Sequence, residues 1–192
     1  GGVQKGKILI IGGGTAGENA AEIGQGLGAD VTVFDKSLER LDYLAKRFGS
    51  SLNYVYPTLE AYDAHLPKAD IVIGAVLIPG AIAPKLISRE MVATMKKGSV
   101  IADIAIDQGG CSETSRPTTH DKPTYIVNDV VHYCVANIPS AVPLTSTKAL
   151  SNSISPYVQT LAKSNAAELI KEEHPLNSGI NVYQGKVQLD NL

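Results

Sequence analysis

Four consecutive apolar residues, Ile8 to Ile11, run directly into Gly12-Gly-Gly-Thr-Ala-Gly17, and a stretch with helical spacing follows at once. Few architectures accept that order. A GxGxxG pattern alone says little, because glycine is common in turns. Here it closes an apolar strand, opens a helix, and is answered by Asp35 at the end of the next apolar run, 18 residues beyond Gly17. A dinucleotide-binding βαβ unit requires that context. Gly12 permits the tight turn, Gly14 lets a pyrophosphate approach the backbone, and Gly17 lets the helix pack closely on the strand. The helix start at Thr15 and Ala16 offers unpaired N–H groups and a positive dipole end to phosphates. Asp35 can accept hydrogen bonds from the ribose hydroxyls of an adenosine and would repel a 2′-phosphate, which favours NAD over NADP. Lys36 and Arg40 lie close enough to soften that preference.

The rest of the chain continues the alternation. Val31-Thr-Val-Phe-Asp35 reads as a second strand, Leu52 to Tyr56 as a third, Asp70-Ile-Val-Ile-Gly74 as a fourth, Ser99 to Asp103 as a fifth and Tyr125 to Asn128 as a sixth. Helical spacing falls between them: Ala20, Ile23 and Leu27 on one face before Gly28; Leu41, Leu44, Ala45 and Phe48 after the N-cap candidate Ser37; Thr58 to His65; and Leu86 to Met95. Strands alternating with helices predict an α/β, Rossmann-type, doubly wound and mostly parallel sheet with helices on both faces. After Pro143 the texture becomes rich in Ser, Thr, Asn and Ala, with helical spacing through Tyr157, Val158 and Leu161 and again from Ala166 to Ile170. The expected organisation is a cofactor-binding domain over 1–143 and a helical C-terminal segment over 144–192. The apolar residues of that segment, Leu150 to Leu161, need a cover.

Composition removes several function classes. The chain has 192 residues, with 17 Lys+Arg against 19 Asp+Glu, so it lacks the basic excess of a nucleic-acid partner. No apolar run approaches the roughly 20 residues of a membrane span, and no signal pattern opens the chain. Cys111 and Cys134 form no CxxC, so neither a disulfide framework nor a metal site is expected, and a reduced, cytoplasmic setting is. No HExxH, Walker lysine or Ser-His-Asp order is present. His65 falls at a helix end, and His120 and His174 in polar segments that predict solvation. His132 lies nearer the cofactor side, where packing is favoured over catalysis.

A second constellation, Asp103-Ile-Ala-Ile-Asp107-Gln-Gly-Gly110, follows the fifth strand. Ligands of open α/β sheets bind beyond the carboxyl ends of the strands, so Asp107 should face the cleft. From spacing alone it is either a turn former before Gln-Gly-Gly or a carboxylate near the reacting carbon.

Longer runs carry a resemblance. Gly12 to Gly17, Ala69-Asp-Ile-Val-Ile-Gly-Ala-Val-Leu-Ile-Pro-Gly80, Asp103-Ile-Ala-Ile-Asp-Gln-Gly-Gly-Cys111, Ser115-Arg-Pro-Thr-Thr119 and Tyr133-Cys-Val-Ala-Asn-Ile-Pro139 together resemble the bacterial alanine dehydrogenases, from Gly1 to about Gly185. The related NAD(P) transhydrogenase subunit shares the fold, but the Gln-Gly-Gly-Cys and Val-Ala-Asn-Ile-Pro runs are closer to the dehydrogenase. The resemblance implies NAD as cofactor and reversible oxidative deamination of L-alanine to pyruvate and ammonium. It implies that Asp35 binds the ribose, Arg40 lies near the adenosine, and Val76 and Leu77 line the cleft. Ile104 to Asp107 would flank the nicotinamide, with Asp107 the active-site aspartate; Val135, Ala136, Asn137 and Ile138 would form the other nicotinamide-side segment. Where the family has a serine near the adenosine this chain has Pro57, leaving Thr58 or Ser51 as substitutes. The family's substrate-clamping arginine and lysine and its catalytic histidine belong to an N-terminal domain that these residues do not include. The chain alone is therefore expected to bind NAD without turnover, and a homo-oligomer, hexameric in the family, is the expected assembly. A non-enzymatic NAD-binding module or a subunit of a transhydrogenase-like complex is the alternative. Titration of the chain with NADH and NADPH tests Gly12 to Gly17 and Asp35 directly: fluorescence enhancement at lower NADH than NADPH concentration is expected, and binding of neither would leave only an analogy of fold.

Overall fold

The computed structural model describes residues 2–78, 82–169, 171, 174 and 176–188. Residues 79–81, 172, 173 and 175, Ile170 at the end of the expected second C-terminal helix, and 189–192 lie outside them. The chain divides into two compact units, Gly1–Ile138 and Pro139–Leu192.

The first unit is built on a seven-stranded sheet. Strands β1 (Lys7–Ile11), β2 (Asp30–Phe34), β3 (Asn53–Val55), β4 (Ile71–Gly74), β5 (Val100–Asp103), β6 (Thr124–Val127) and β7 (Val130–Tyr133) take the order β3-β2-β1-β4-β5-β7-β6. Every pairing is parallel except β6 with β7. Ile10 of β1 stands opposite Val33 of β2 on one side and Ile73 of β4 on the other. The order reverses between β1 and β4, and the crevice of a doubly wound sheet lies at such a switch.

The unbroken apolar run of β1 is explained by burial on both faces. Leu9 and Ile11 join Phe34, Tyr62, Leu66, Val72, Ile87, Val92 and Ile101 in one core, while Ile10 joins Ala21, Val31, Val33 and Leu44 in the other. Helices α1 (Thr15–Gly26) and α2 (Leu38–Phe48) cover the second face; α3 (Leu59–His65) and α4 (Arg89–Ala93) cover the first. Caps fix their starts: the hydroxyls of Ser37, Thr58 and Ser88 accept from the N–H groups of Arg40, Ala61 and Met91.

Three sequence expectations are corrected. Of the expected face Ala20, Ile23 and Leu27, only Ala20 packs, half-buried, against the core: Ile23 is 66% and Leu27 82% exposed, and the face against the sheet carries Gly17, Ala21 and Gly24. Small residues win because the helix lies too close to the strands for larger ones; a Cβ on Gly24 would stand 3.0 Å from Ile8 Cδ1. The helix expected over 86–95 shortens to α4, since the N–H groups of Leu86 and Ile87 donate to the Cys111 carbonyl instead. Beside the expected sixth strand the structure adds β7. It is the return arm of a hairpin whose turn, Asn128-Asp129, has φ of 52° and 61° at its two central positions, a geometry Asn and Asp tolerate.

In the second unit, α5 (Pro143–Lys163) starts on a proline, which fits the first turn of a helix. The second compact unit begins at Pro139, and the turn before α5 is bonded to the helix: the Ser146 hydroxyl donates to the Pro139 carbonyl at 2.7 Å. A reciprocal capping box between Asn165 and Glu168 opens α6 (Ala166–Leu169), and a hairpin of β8 (Val182–Tyr183) and β9 (Lys186–Val187) follows. Leu150, Ile154, Tyr157, Val158 and Leu161 are exposed.

Among the described glycines Gly17 leaves a Cβ the least room: it would lie 1.8 Å from the Gly12 carbonyl oxygen. Backbone cannot yield as a side chain can. Gly17→Ala is expected to destabilise the protein by about 3 kcal/mol, lowering the thermal midpoint by roughly 6–12 °C; an unchanged melting curve would contradict this packing.

Candidate dinucleotide site

A cleft of about 880 Å³ opens at the carboxyl ends of β1, β2 and β4, over the switch point. Gly12, Gly14, Thr15 and Ala16 form its floor, Asp35 and Lys36 one end, Val76, Leu77 and Ile78 one wall, and Ile104, Ala105, Asp107 and Gln108 the other end. Gly12 has φ +101°, and a Cβ there would meet the Ala75 carbonyl at 2.7 Å, so only glycine lets the first turn pass β4. The first intrahelical bond runs from the Glu18 N–H to the Gly14 carbonyl at 2.8 Å, leaving the N–H groups of Thr15, Ala16 and Gly17 at the helix start. Gly14 is different. Its backbone (φ −63°, ψ −168°) suits any residue, and a Cβ there would meet nothing within 4 Å. Nothing in the protein requires that glycine; a pyrophosphate lying on the loop would.

Asp35 stands where β2 ends. Its Oδ2 accepts from the Gly13 N–H at 2.7 Å and its Oδ1 from the Ser37 N–H at 2.8 Å. The carboxylate is thus oriented by backbone while remaining in the cleft lining. Arg40, expected near the adenosine, does not line the cleft. Its Nε donates to the Gly13 carbonyl at 2.5 Å, its Nη2 pairs with Glu18, and its guanidinium lies 4.6 Å from the Tyr43 ring centroid. A buried carboxylate one residue after Gly17 outcompetes the open cleft for that cation. Burial pushes the Glu18 carboxyl up, but Arg40 and Arg47 together hold it below its ordinary range.

At the other end, Asp107 lies in the short 3-10 helix Ile104–Gln108. Its carboxylate is exposed and accepts from the Asn137 N–H at 3.1 and 3.3 Å. Its loop is held from two sides. Inside, buried Asp103 Oδ2 accepts from the Cys111 N–H at 2.8 Å and the Ser115 hydroxyl at 2.5 Å; outside, the Lys85 ammonium donates to the carbonyls of Gly109, Gly110 and Ser112 at 2.5–3.1 Å. N–H groups face an anion and carbonyls a cation, so the loop has little freedom.

Val135, Ala136, Asn137 and Ile138 do not line the cleft itself. Val135 is fully buried, and the segment reaches the site only through Asn137, whose φ of +53° turns its N–H onto Asp107. A backbone donor, rather than the side-chain amide, makes that contact. Pro57 lines the cleft and offers no donor. Neither proposed substitute replaces it: Thr58 is committed to the cap of α3, and the Ser51 hydroxyl donates to the Phe48 carbonyl.

The remaining candidates resolve as structural. His132 is fully buried, bonded to the Thr114 hydroxyl at 2.7 Å and stacked on Tyr125; burial pushes its pKa down. His174, expected to be solvated, instead accepts from the Leu176 N–H and contacts the Ser164 hydroxyl. Cys111 and Cys134 are buried and unpaired, and burial next to Asp103 raises the Cys111 thiol. Sequence reasoning missed Tyr62, which lines the cleft from α3; burial pushes its phenol up to about 12. No local pattern marks a tyrosine brought in from a crossover helix. Among the described residues there is no His, Cys, Asp or Glu cluster that could hold a metal, and no helix is long and apolar enough to cross a membrane.

Comparisons with known proteins agree with this geometry. Residues 1–190 match the family described as alanine dehydrogenase/PNT, C-terminal domain. The chain is 50% identical over 186 residues to an alanine dehydrogenase of Halomonas elongata, covering 97% of this chain and 50% of that protein. It is 52% identical over 187 residues to alanine dehydrogenase 2 of Staphylococcus aureus, with 97% and 50% covered. A solved L-alanine dehydrogenase superposes with a TM-score of 0.86 at 46% identity, over 97% of this chain and 52% of that one. A transhydrogenase from Sinorhizobium meliloti superposes with a TM-score of 0.74 at 26% identity, over 90% and 51%. The chain spans about half the length of the curated relatives it matches.

The second and third glycines of the motif should behave oppositely. Whereas Gly17 is held by packing, Gly14→Val is expected to cost within about 1 kcal/mol of stability while weakening NADH binding at least about tenfold in a fluorescence titration. Retained affinity would place the phosphates elsewhere.

Proposed function

The chain belongs to the alanine dehydrogenase/PNT C-terminal domain family, and from that premise we propose that it is the NAD(H)-binding half of an alanine dehydrogenase, acting in the reversible oxidative deamination of L-alanine to pyruvate and ammonium. The observation that carries this reading is one cleft with a carboxylate at one end, Asp35, and a second, exposed carboxylate at the other, Asp107, joined by a glycine floor and a helix start. A nicotinamide cofactor follows from the family, and Asp35 favours NAD because a 2′-phosphate would face its charge.

Gly12, Gly14 and the N–H groups of Thr15 and Ala16 would hold the pyrophosphate, with Val76 and Leu77 against the wall. The nicotinamide, when bound, supplies the hydride acceptor. Asp107 would then be the catalytic aspartate. Oriented by the Asn137 N–H, its carboxylate favours the positive charge that develops at the substrate nitrogen and can position the water that attacks the carbon. Ile104 and Ala105 present an apolar surface beside it. No cation lines that end of the cleft among the described residues, so a substrate carboxylate would find no clamp there. The clamp would come from the part of the relatives that this chain does not cover, and the 192-residue chain is expected to bind NADH without deaminating alanine. Identity favours the dehydrogenase over a transhydrogenase-like role, at 50% against 26%.

In an alanine dehydrogenase containing this half, Asp107→Asn is expected to lower kcat for alanine-dependent NAD reduction by about 10²–10⁴-fold, while NADH binding changes by less than about threefold. Unchanged turnover would remove Asp107 from the chemistry.

A further inference from the structure

One ion pair lies just behind the ribose end of the cleft and has no part in the reading above. Glu18 is buried (7% exposed), sits in the first turn of α1, and pairs with both Arg40 and Arg47. The two arginines are not equivalent. Arg47 has a second carboxylate, Glu22 at 2.7 Å, and lies over the Phe48 ring. Arg40 has Glu18 as its carboxylate partner, and its remaining polar bond is to the Gly13 carbonyl.

Gly13 ties this pair to the site. Its N–H donates to Asp35 while its carbonyl accepts from Arg40. The cleft carboxylate and the guanidinium therefore stand on two sides of a single residue, one backbone unit apart. Lys36, also in the cleft lining, adds a second cation at that end. A guanidinium there is the group a 2′-phosphate seeks, since its planar fork matches phosphate oxygens. Here the fork is occupied.

We propose that Glu18 is a coenzyme-selectivity residue: it holds Arg40 against the Gly13 carbonyl, neutralises it, and so denies a 2′-phosphate the guanidinium, leaving Lys36 as the one cation of the described lining. Discrimination against NADPH then has two parts, repulsion by Asp35 and withdrawal of Arg40 by Glu18. The proposal rests on the dinucleotide reading of the cleft.

The test is a fluorescence titration of the 192-residue chain with NADH and with NADPH, comparing wild type, Glu18→Gln, Arg40→Met and the double variant. Glu18→Gln is expected to tighten NADPH binding relative to NADH by about tenfold, an effect that shrinks as salt is raised. Arg40→Met, which loses the bond to Gly13, is expected to weaken both nucleotides alike, and the double variant to return to the wild-type ratio. An unchanged ratio in Glu18→Gln, or a gain that survives in the double variant, would overturn the proposal. Should Glu18→Gln fail to melt cooperatively, Glu18→Asp, whose carboxylate is drawn back from Arg40 by one methylene, should move the ratio in the same direction by a smaller factor; no movement there counts against it equally. Wild-type chain that binds neither nucleotide would instead sink the dinucleotide reading.

Discussion

The α-carbon of Gly17 rests against the carbonyl of Gly12, and the geometry of the site follows from that contact. It presses the start of α1 onto the end of β1, so the first turn of the helix lies at the carboxyl edge of the sheet with its N–H groups facing the cleft. The same closeness governs how the helix packs: Ala21 and Gly24 are buried, and Ile23 and Leu27, though apolar, are turned to solvent. Interatomic distance, rather than hydrophobicity, selects the buried face.

Beside that contact the one buried carboxylate of the helix start is compensated. A carboxylate in the first turn of a helix suits the helix dipole but would oppose an incoming pyrophosphate. Glu18 is compensated by Arg40 and Arg47, whose bonds hold it in the ionised form despite burial. At the far end, Asp107 gets its orientation from a loop fixed between the Asp103 carboxylate and the Lys85 ammonium. The strand reversal between β1 and β4 is what makes one cleft of these two ends, since Asp35 follows β2 on one side of it and Asp107 follows β5 on the other.

Much of this was legible in the chain. Ile8 to Ile11, Gly12 to Gly17 and Asp35 form a local pattern, read within about thirty residues, and strand and helix periods between them are set by burial on alternate sides. Asp107 was legible as a cleft residue by its place after a strand, and its longer motif gave it a role. What could not be read were contacts between distant segments. Arg40 follows Asp35 closely enough to suggest an adenosine contact, yet a glutamate 22 positions earlier in the chain captures it. Tyr62 reaches the cleft from a crossover helix. Asn137 works through its N–H, which any residue but proline would carry; its side chain misdirects the reader. Strand β7 escaped notice because its partner, across the Asn128-Asp129 turn, supplies the pairing that defines it.

By itself, the order of residues determined a doubly wound sheet and placed the glycine turn and two carboxylates at the carboxyl ends of its strands, because backbone turns and alternating burial are local properties of short runs. Only the tertiary structure decided which cation faces the cleft, which face of α1 is buried and which donor orients Asp107. Those depend on distances between segments tens of residues apart, where competing partners settle the outcome by proximity, and no pattern along the chain records it.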